Sequence, residues 1–143
     1  YMEKENDRAE ANGYPTPICA SKQATDDHFN AVMEYILGNL QDISLFLGTH
    51  NENSNYLAME MITANGLMKN DSRIWFGQLY GMSDHISYNL AEAGFNVAKY
   101  IPFGPVKDVM PYLIRRAEEN TSVAGQTSRE LTLLKSEKAR RKI

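Results

Sequence analysis

Ile74-Trp75-Phe76-Gly77-Gln78-Leu79-Tyr80, closed by Gly81-Met82 and followed by Ser83-Asp84, is the stretch from which the fold reads outward. It is rich in β-branched and aromatic residues and has the length of a strand. Ser83-Asp84 then predicts an N-cap, with a helix running to Ala93-Gly94. The same unit stands on either side. Upstream, Ile43-Ser44-Leu45-Phe46-Leu47 predicts a strand that ends in Gly48-Thr49-His50-Asn51. A helix is expected over residues 52–65, with Leu57, Met61 and Ile62 on one side and Gly66 at its end. Downstream, a third strand is expected from Val97 to Ile101. Pro102-Phe103-Gly104-Pro105 then turns into a longer helix ending near Asn120. Strands alternating with helices of this size predict parallel pairing and an α/β fold.

Further from the centre, residues 2–12 predict a charged helix stopped by Asn12-Gly13. Tyr14-Pro15-Thr16-Pro17 is an extended connector, because proline biases the residue before it away from helix. Thr25-Asp26-Asp27 is expected to cap a helix whose Phe29, Val32, Met33, Ile36 and Leu37 share a face and which Gly38 closes. Gly125 and Thr127 precede a basic terminal helix. Three strands make a small parallel sheet, and parallel sheets are normally covered on both faces. The chain is therefore expected to supply part of a larger sheet. Its opening, Tyr1-Met2-Glu3-Lys4-Glu5 with no initiator Met, also reads as a piece of something longer.

Composition narrows the classes. The 143 residues carry 15 Lys+Arg against 18 Asp+Glu, a net charge of −3, with 43% apolar and 23% charged residues. That is ordinary for one globular domain and not for a disordered segment. No run of about 18 apolar residues exists to span a membrane. No basic-then-apolar opening predicts a signal peptide. A lone Cys19 excludes an internal disulfide and a cysteine-built zinc site. Mild acidity argues against a nucleic-acid binder. Residues 129–143 carry a net +4, from Arg129, Lys135, Lys138, Arg140, Arg141 and Lys142 against Glu130 and Glu137, and leave −7 on the remainder. Such a tail is either a solvated helix or a docking segment for an anionic surface.

Each expected strand ends in a polar or glycine-bearing cluster: Thr49-His50-Asn51, then Gln78-Leu79-Tyr80-Gly81, then Tyr100 with Phe103-Gly104. Barrel enzymes build their sites at such C-terminal strand ends, although turns are polar and glycine-rich in any case. On the last helix Tyr112, Arg115, Arg116 and Glu119 share one face, beside an apolar stripe of Val109, Leu113, Ile114 and Ala117. Adjacent guanidinium forks suit a carboxylate. The same spacing also suits a surface ion-pair ladder between Arg115 and Glu119. His50 follows a strand and is placed to meet a ligand. His28 and His85 fall early in helices, and the three histidines lack metal-site spacing. No Gly-x-Gly-x-x-Gly follows a strand, so a Rossmann dinucleotide site is not indicated. Met59, Met61, Met68 and Met82 read as core filler.

Met110-Pro111-Tyr112-Leu113-Ile114-Arg115-Arg116-Ala117-Glu118-Glu119-Asn120 resembles the terminal barrel helix of the proline dehydrogenases, a flavoenzyme family. The resemblance extends through Phe76-Gly77-Gln78-Leu79-Tyr80-Gly81-Met82 and Lys99-Tyr100-Ile101-Pro102-Phe103-Gly104-Pro105, and includes Thr49-His50-Asn51 and the opening residues. It covers nearly the whole chain in order, with spacing closer to the mitochondrial-type branch than to the short bacterial one. It implies a distorted (β/α)₈ barrel holding FAD. Residues 1–126 would be the C-terminal part of that barrel, with strands six to eight, and residues 127–143 a basic terminal helix. The active-site lysine and aspartate, a flavin-contacting arginine and glutamine, and strands one to five would lie upstream, in the same protein or a separate chain. A barrel takes about 250 residues, so the chain alone is not expected to be a complete enzyme.

The resemblance further implies that Arg115 and Arg116 hold the proline carboxylate. Tyr1, Leu79, Tyr100 and Tyr112 would wall the ring, and Glu119 would support the arginines. Thr49 and His50 would touch the flavin nucleotide, with Lys22 and Asn51 as further cofactor candidates. No metal and no nucleic acid are implied. The implied reaction moves a hydride from the L-proline carbon beside nitrogen to the flavin N5, gives 1-pyrroline-5-carboxylate, and passes electrons to a quinone. A cytoplasmic protein is implied, peripheral at the inner membrane, or on the matrix side of a mitochondrion in a eukaryote. The alternative is a non-catalytic interaction or regulatory fragment that keeps the fold's C-terminal half.

Overall fold

The computed structural model describes residues 2–121, together with short runs at 131–132, 135–136 and 138–139; of residues 117–121 it gives the backbone only. Tyr1 and the rest of the basic 127–143 segment lie outside the described residues. The elements run α1 (Met2–Asn12), α2 (Lys22–Leu37), β1 (Leu45–Gly48), α3 (Glu52–Ala64), β2 (Ile74–Leu79), α4 (Asp84–Glu92), β3 (Val97–Tyr100) and α5 (Val106–Thr121). The three strands form one parallel sheet in the order β1-β2-β3. Leu45 pairs with Ile74 and Leu47 with Phe76, and Gln78 pairs with Lys99 and Leu79 with Tyr100.

Period-two alternation sorts the strand residues onto two faces. Leu45, Leu47, Ile74 and Phe76 point to the helix layer, where they join Met33, Leu37, Ala58, Ile62, Ile86, Leu90 and Phe95 in one core. Phe76 meets Phe95 edge-on at 5.4 Å. The opposite face carries Phe46, Trp75, Gly77 and Tyr100. Among the described residues no layer buries it: Phe46 is 62% and Tyr100 56% exposed. No described helix is long and apolar enough to cross a membrane.

One helix start differs from the sequence expectation, and one expected cap takes an unexpected geometry. α2 begins at Lys22, ahead of Thr25, because the Ser21 hydroxyl accepts from the Ala24 amide at 3.1 Å. Thr25 instead lies inside the first turn and donates its hydroxyl to the Ser21 carbonyl. Ser83 does stand at the N-cap of α4, but in the left-handed region (φ 50°, ψ 41°), and its side chain makes no capping bond. Each strand is one residue shorter than expected: β1 starts at Leu45 and takes in Gly48, while Tyr80 and Ile101 fall in the connections.

Candidate active site

All three strands deliver their C-terminal ends to one edge of the sheet, and the polar residues there are tied across elements. Thr49, His50 and Asn51 link β1 to α3. Asn51 Oδ1 caps α3 by accepting from the Asn53 and Ser54 amides, and Thr49 Oγ1 accepts from the Asn51 amide at 3.1 Å. Buried Asn55 reaches back, donating from Nδ2 to the Asn51 carbonyl at 2.8 Å.

From the next strand, Gln78 projects onto the helix side of the sheet and is 2% exposed. A buried amide needs hydrogen-bonding groups around it, and it has them. Its Nε2 donates to the Thr49 carbonyl at 3.3 Å, and its Oε1 accepts from the Ser87 hydroxyl at 2.9 Å. Lys99, the register neighbour of Gln78, donates to Ser87 Oγ at 2.9 Å and to the Met82 carbonyl at 2.7 Å, and pairs with Asp84 at 2.8 Å. His50 Nδ1 lies 2.8 Å from Ser83 Oγ. The β1–α3 loop is thus fixed from α3, from β2 and from the β2–α4 connection.

On the open face, β3 leads into α5, and the expected substrate residues gather there. Leu79 and Tyr100 are paired in the ladder. The Tyr100 ring meets Tyr112 edge-on at 5.9 Å, and the Arg116 guanidinium sits 5.0 Å above the Tyr112 ring. Arg115, one residue earlier on the same helix, is exposed. The Phe46 ring lies over Gly77, with Cζ 2.7 Å from where a Cβ on residue 77 would stand. This edge therefore offers a flat aromatic and aliphatic floor, the Arg116 guanidinium beyond it with exposed Arg115 one residue before, and a histidine near the start of α3.

Other candidates fall elsewhere. Lys22 opens α2 and is ion-paired with Asp26, its side chain 82% exposed. His85 pairs with Glu52 at 2.8 Å, beside a small groove between α3 and α4. Met68 is 69% exposed and is not core filler, whereas Met59 and Met61 pack against the core. Tyr1 and the Glu119 side chain lie outside the described residues, so the Arg115–Glu119 ladder does too. Sequence reasoning missed Ser87 and Lys99, and it took Ser83 for a plain cap. One signal was available: Gln78 stands two residues from Phe76 and so had to face the core, which obliges polar company there.

A family model described as "Proline dehydrogenase" matches residues 1–129. Mitochondrial proline dehydrogenase 1 of Drosophila melanogaster is 38% identical over 151 residues, covering 99% of this chain and 22% of the relative. The human mitochondrial proline dehydrogenase 1 is 40% identical over 144 residues, covering 99% of this chain and 24% of the relative. Among solved structures, proline utilization A from Bdellovibrio bacteriovorus, inactivated by N-propargylglycine, superposes with a TM-score of 0.77 at 29% identity, over 85% of this chain and 12% of that one. The chain thus spans about a quarter of the curated relatives' length.

Proposed function

The chain belongs to the proline dehydrogenase family, and from that premise we propose that it supplies the substrate-holding wall of a flavin-dependent site oxidising L-proline. One observation carries this: Leu79, Tyr100 and Tyr112, with Arg116 over the Tyr112 ring, converge from β2, β3 and α5 on the open face of the sheet. The fold proposal follows the same line. Three parallel strand–helix units with their polar ends at one edge and one uncovered face suit strands six to eight of a (β/α)₈ barrel, formed by residues 1–126 and followed by the basic 127–143 segment.

FAD suits the groups present. Phe46, Leu79 and Tyr100 offer a flat apolar floor with no side chain at Gly77, and His50, beside the positive end of the α3 dipole, offers a donor for a phosphate oxygen. Bound there, the cofactor supplies the two-electron acceptor chemistry. The protein's own part is to bind and orient. Arg115 and Arg116 hold the carboxylate through parallel N–H donors, with Glu119 behind them. Tyr100, Tyr112, Leu79 and Tyr1 confine the apolar ring and exclude water. Thr49 and His50 hold the nucleotide; Asn51 and Lys22 are the lesser candidates, being already engaged as a cap and an ion pair. Loss of a hydride and a proton leaves 1-pyrroline-5-carboxylate, and a quinone takes the electrons onward. The relatives named as mitochondrial support the same location, and the net +4 of residues 129–143 suits peripheral contact with an anionic membrane.

The test is steady-state oxidation by the FAD-loaded protein with a soluble quinone. L-proline should be consumed to a product two hydrogens lighter, with quinone reduced in equal amount. Absence of that product at saturating proline would sink the proposal.

A further inference from the structure

Ser83 is the one non-glycine residue with positive φ among those described. A left-handed residue with a Cβ is strained, and glycine would relieve it. The position spends a second advantage as well. A serine at an N-cap normally accepts from the amides of the first helical turn, yet Ser83 makes no such bond to α4. Its hydroxyl lies 2.8 Å from His50 Nδ1, in a residue only 2% exposed. A strained backbone and an unused cap, both at one buried serine facing a histidine of the candidate site, point to function rather than to packing.

We propose that Ser83 is a positioning residue for His50: its hydroxyl donates to Nδ1 and so holds the ring with the proton on Nε2, ready to donate to a phosphate oxygen of the flavin nucleotide. The bond at one ring nitrogen sets the tautomer at the other. His50 also stands one residue before the N-cap of α3, where helix polarity favours an anion. The proposal rests on the assignment of His50 to the flavin site, so its test must separate the two.

The experiment compares Ser83→Ala, Ser83→Gly and His50→Ala in the protein that binds FAD. It measures FAD affinity by flavin fluorescence, melting temperature, and the His50 tautomer from long-range proton–nitrogen NMR. Ser83→Gly removes the hydroxyl and the strain together. FAD affinity should fall about fivefold to tenfold, while the melting temperature holds or rises. Ser83→Ala should lose similar affinity with a lower melting temperature, and both variants should lose the pure Nε2–H form seen in the parent. A serine serving only the fold would instead lower stability and affinity together in Ser83→Gly, which overturns the proposal. So does affinity within about twofold of the parent in both serine variants, when His50→Ala still binds poorly. If His50→Ala binds FAD normally, the flavin assignment of His50 fails and the proposal falls with it.

Discussion

Arg115 and Arg116 differ in setting although they are neighbours. Arg116 is half-buried over Tyr112, and Arg115 is exposed one residue earlier. Replacing either by Lys keeps the charge and removes the planar fork. Each should lower kcat/KM for proline by about 10- to 150-fold, the loss of a charge-assisted contact worth roughly 1.5–3 kcal/mol. Values within about twofold of the parent for both would contradict the carboxylate assignment. Tyr100 bears on specificity. Its ring fills space between β3 and Tyr112, so 4-hydroxyproline should be the poorer substrate, and Tyr100→Ser should narrow the gap by weakening proline turnover. Equal use of both substrates by the parent would remove Tyr100 as the selector. Gly77 is a third case. A methyl there meets only the far edge of the Phe46 ring, a side chain that can swing away. Gly77→Ala should therefore disturb the open face more than stability, and the change in FAD affinity should be suppressed in a Phe46→Ala background, a coupling a double-mutant cycle reads directly. At this scale the contact of Arg116 with Tyr112 was legible from spacing, since i and i+4 neighbours share a helix face. Ser83 was not, because its bond to His50 joins residues 33 positions apart and its backbone geometry leaves no mark in composition.

The strand–helix units themselves were the most legible elements, because hydrophobic period and turn residues agreed over each of them. The start of α2 was misplaced because Ser21 and Thr25 are both competent caps and only the fold selects between them. Asp71 and Arg73, between α3 and β2, were not singled out. The Arg73 guanidinium forks onto both Asp71 carboxylate oxygens and also donates to the Leu40 carbonyl at 3.3 Å, fastening this turn to the segment after α2. Hydrogen bonds from the Arg73 side chain and amide hold the Asp71 carboxyl down to about 2. An unfolded aspartate titrates near 3.9 (roughly), so the folded state gains from the charged form above that value. The gain is lost as pH falls toward about 2. Urea midpoints should drop over that window in the parent and stay flatter in Asp71→Asn; equal slopes would remove the pair as an acid-sensitive tie. Phe76 tests the packing of the same strand. It is 1% exposed and lies at the centre of the core, so Phe76→Ala should cost about 3–5 kcal/mol. A loss below about 1 kcal/mol would mean that the sheet and helix layers are not packed through this ring.

At the scale of the molecule, one face of the sheet and much of α5 leave apolar side chains in solvent: Phe46, Tyr100, Ile101, Phe103 at 98% exposed, Val106 and Ile114. β1 and β3 are also unpaired along their outer sides among the described residues. Open edges beside a contiguous apolar surface favour association. The 143-residue chain on its own should therefore self-associate with rising concentration in light scattering, and a monodisperse monomer would show that this surface is covered within the chain. The same surface that would cause association is the floor proposed for the flavin and the proline ring. The strand count alone predicted a small, poorly covered sheet, but which face stayed open depended on the register of Phe46, Gly77 and Tyr100. These residues, with the arginine pair of α5, are proposed to form a proline-oxidising flavin site. Its most direct test is anaerobic addition of L-proline to the natively purified protein that carries this chain, followed by visible absorbance. The protein should be yellow, with oxidised-flavin bands that bleach with proline and return on adding quinone; a colourless protein, or flavin bands indifferent to proline, would contradict the proposed site.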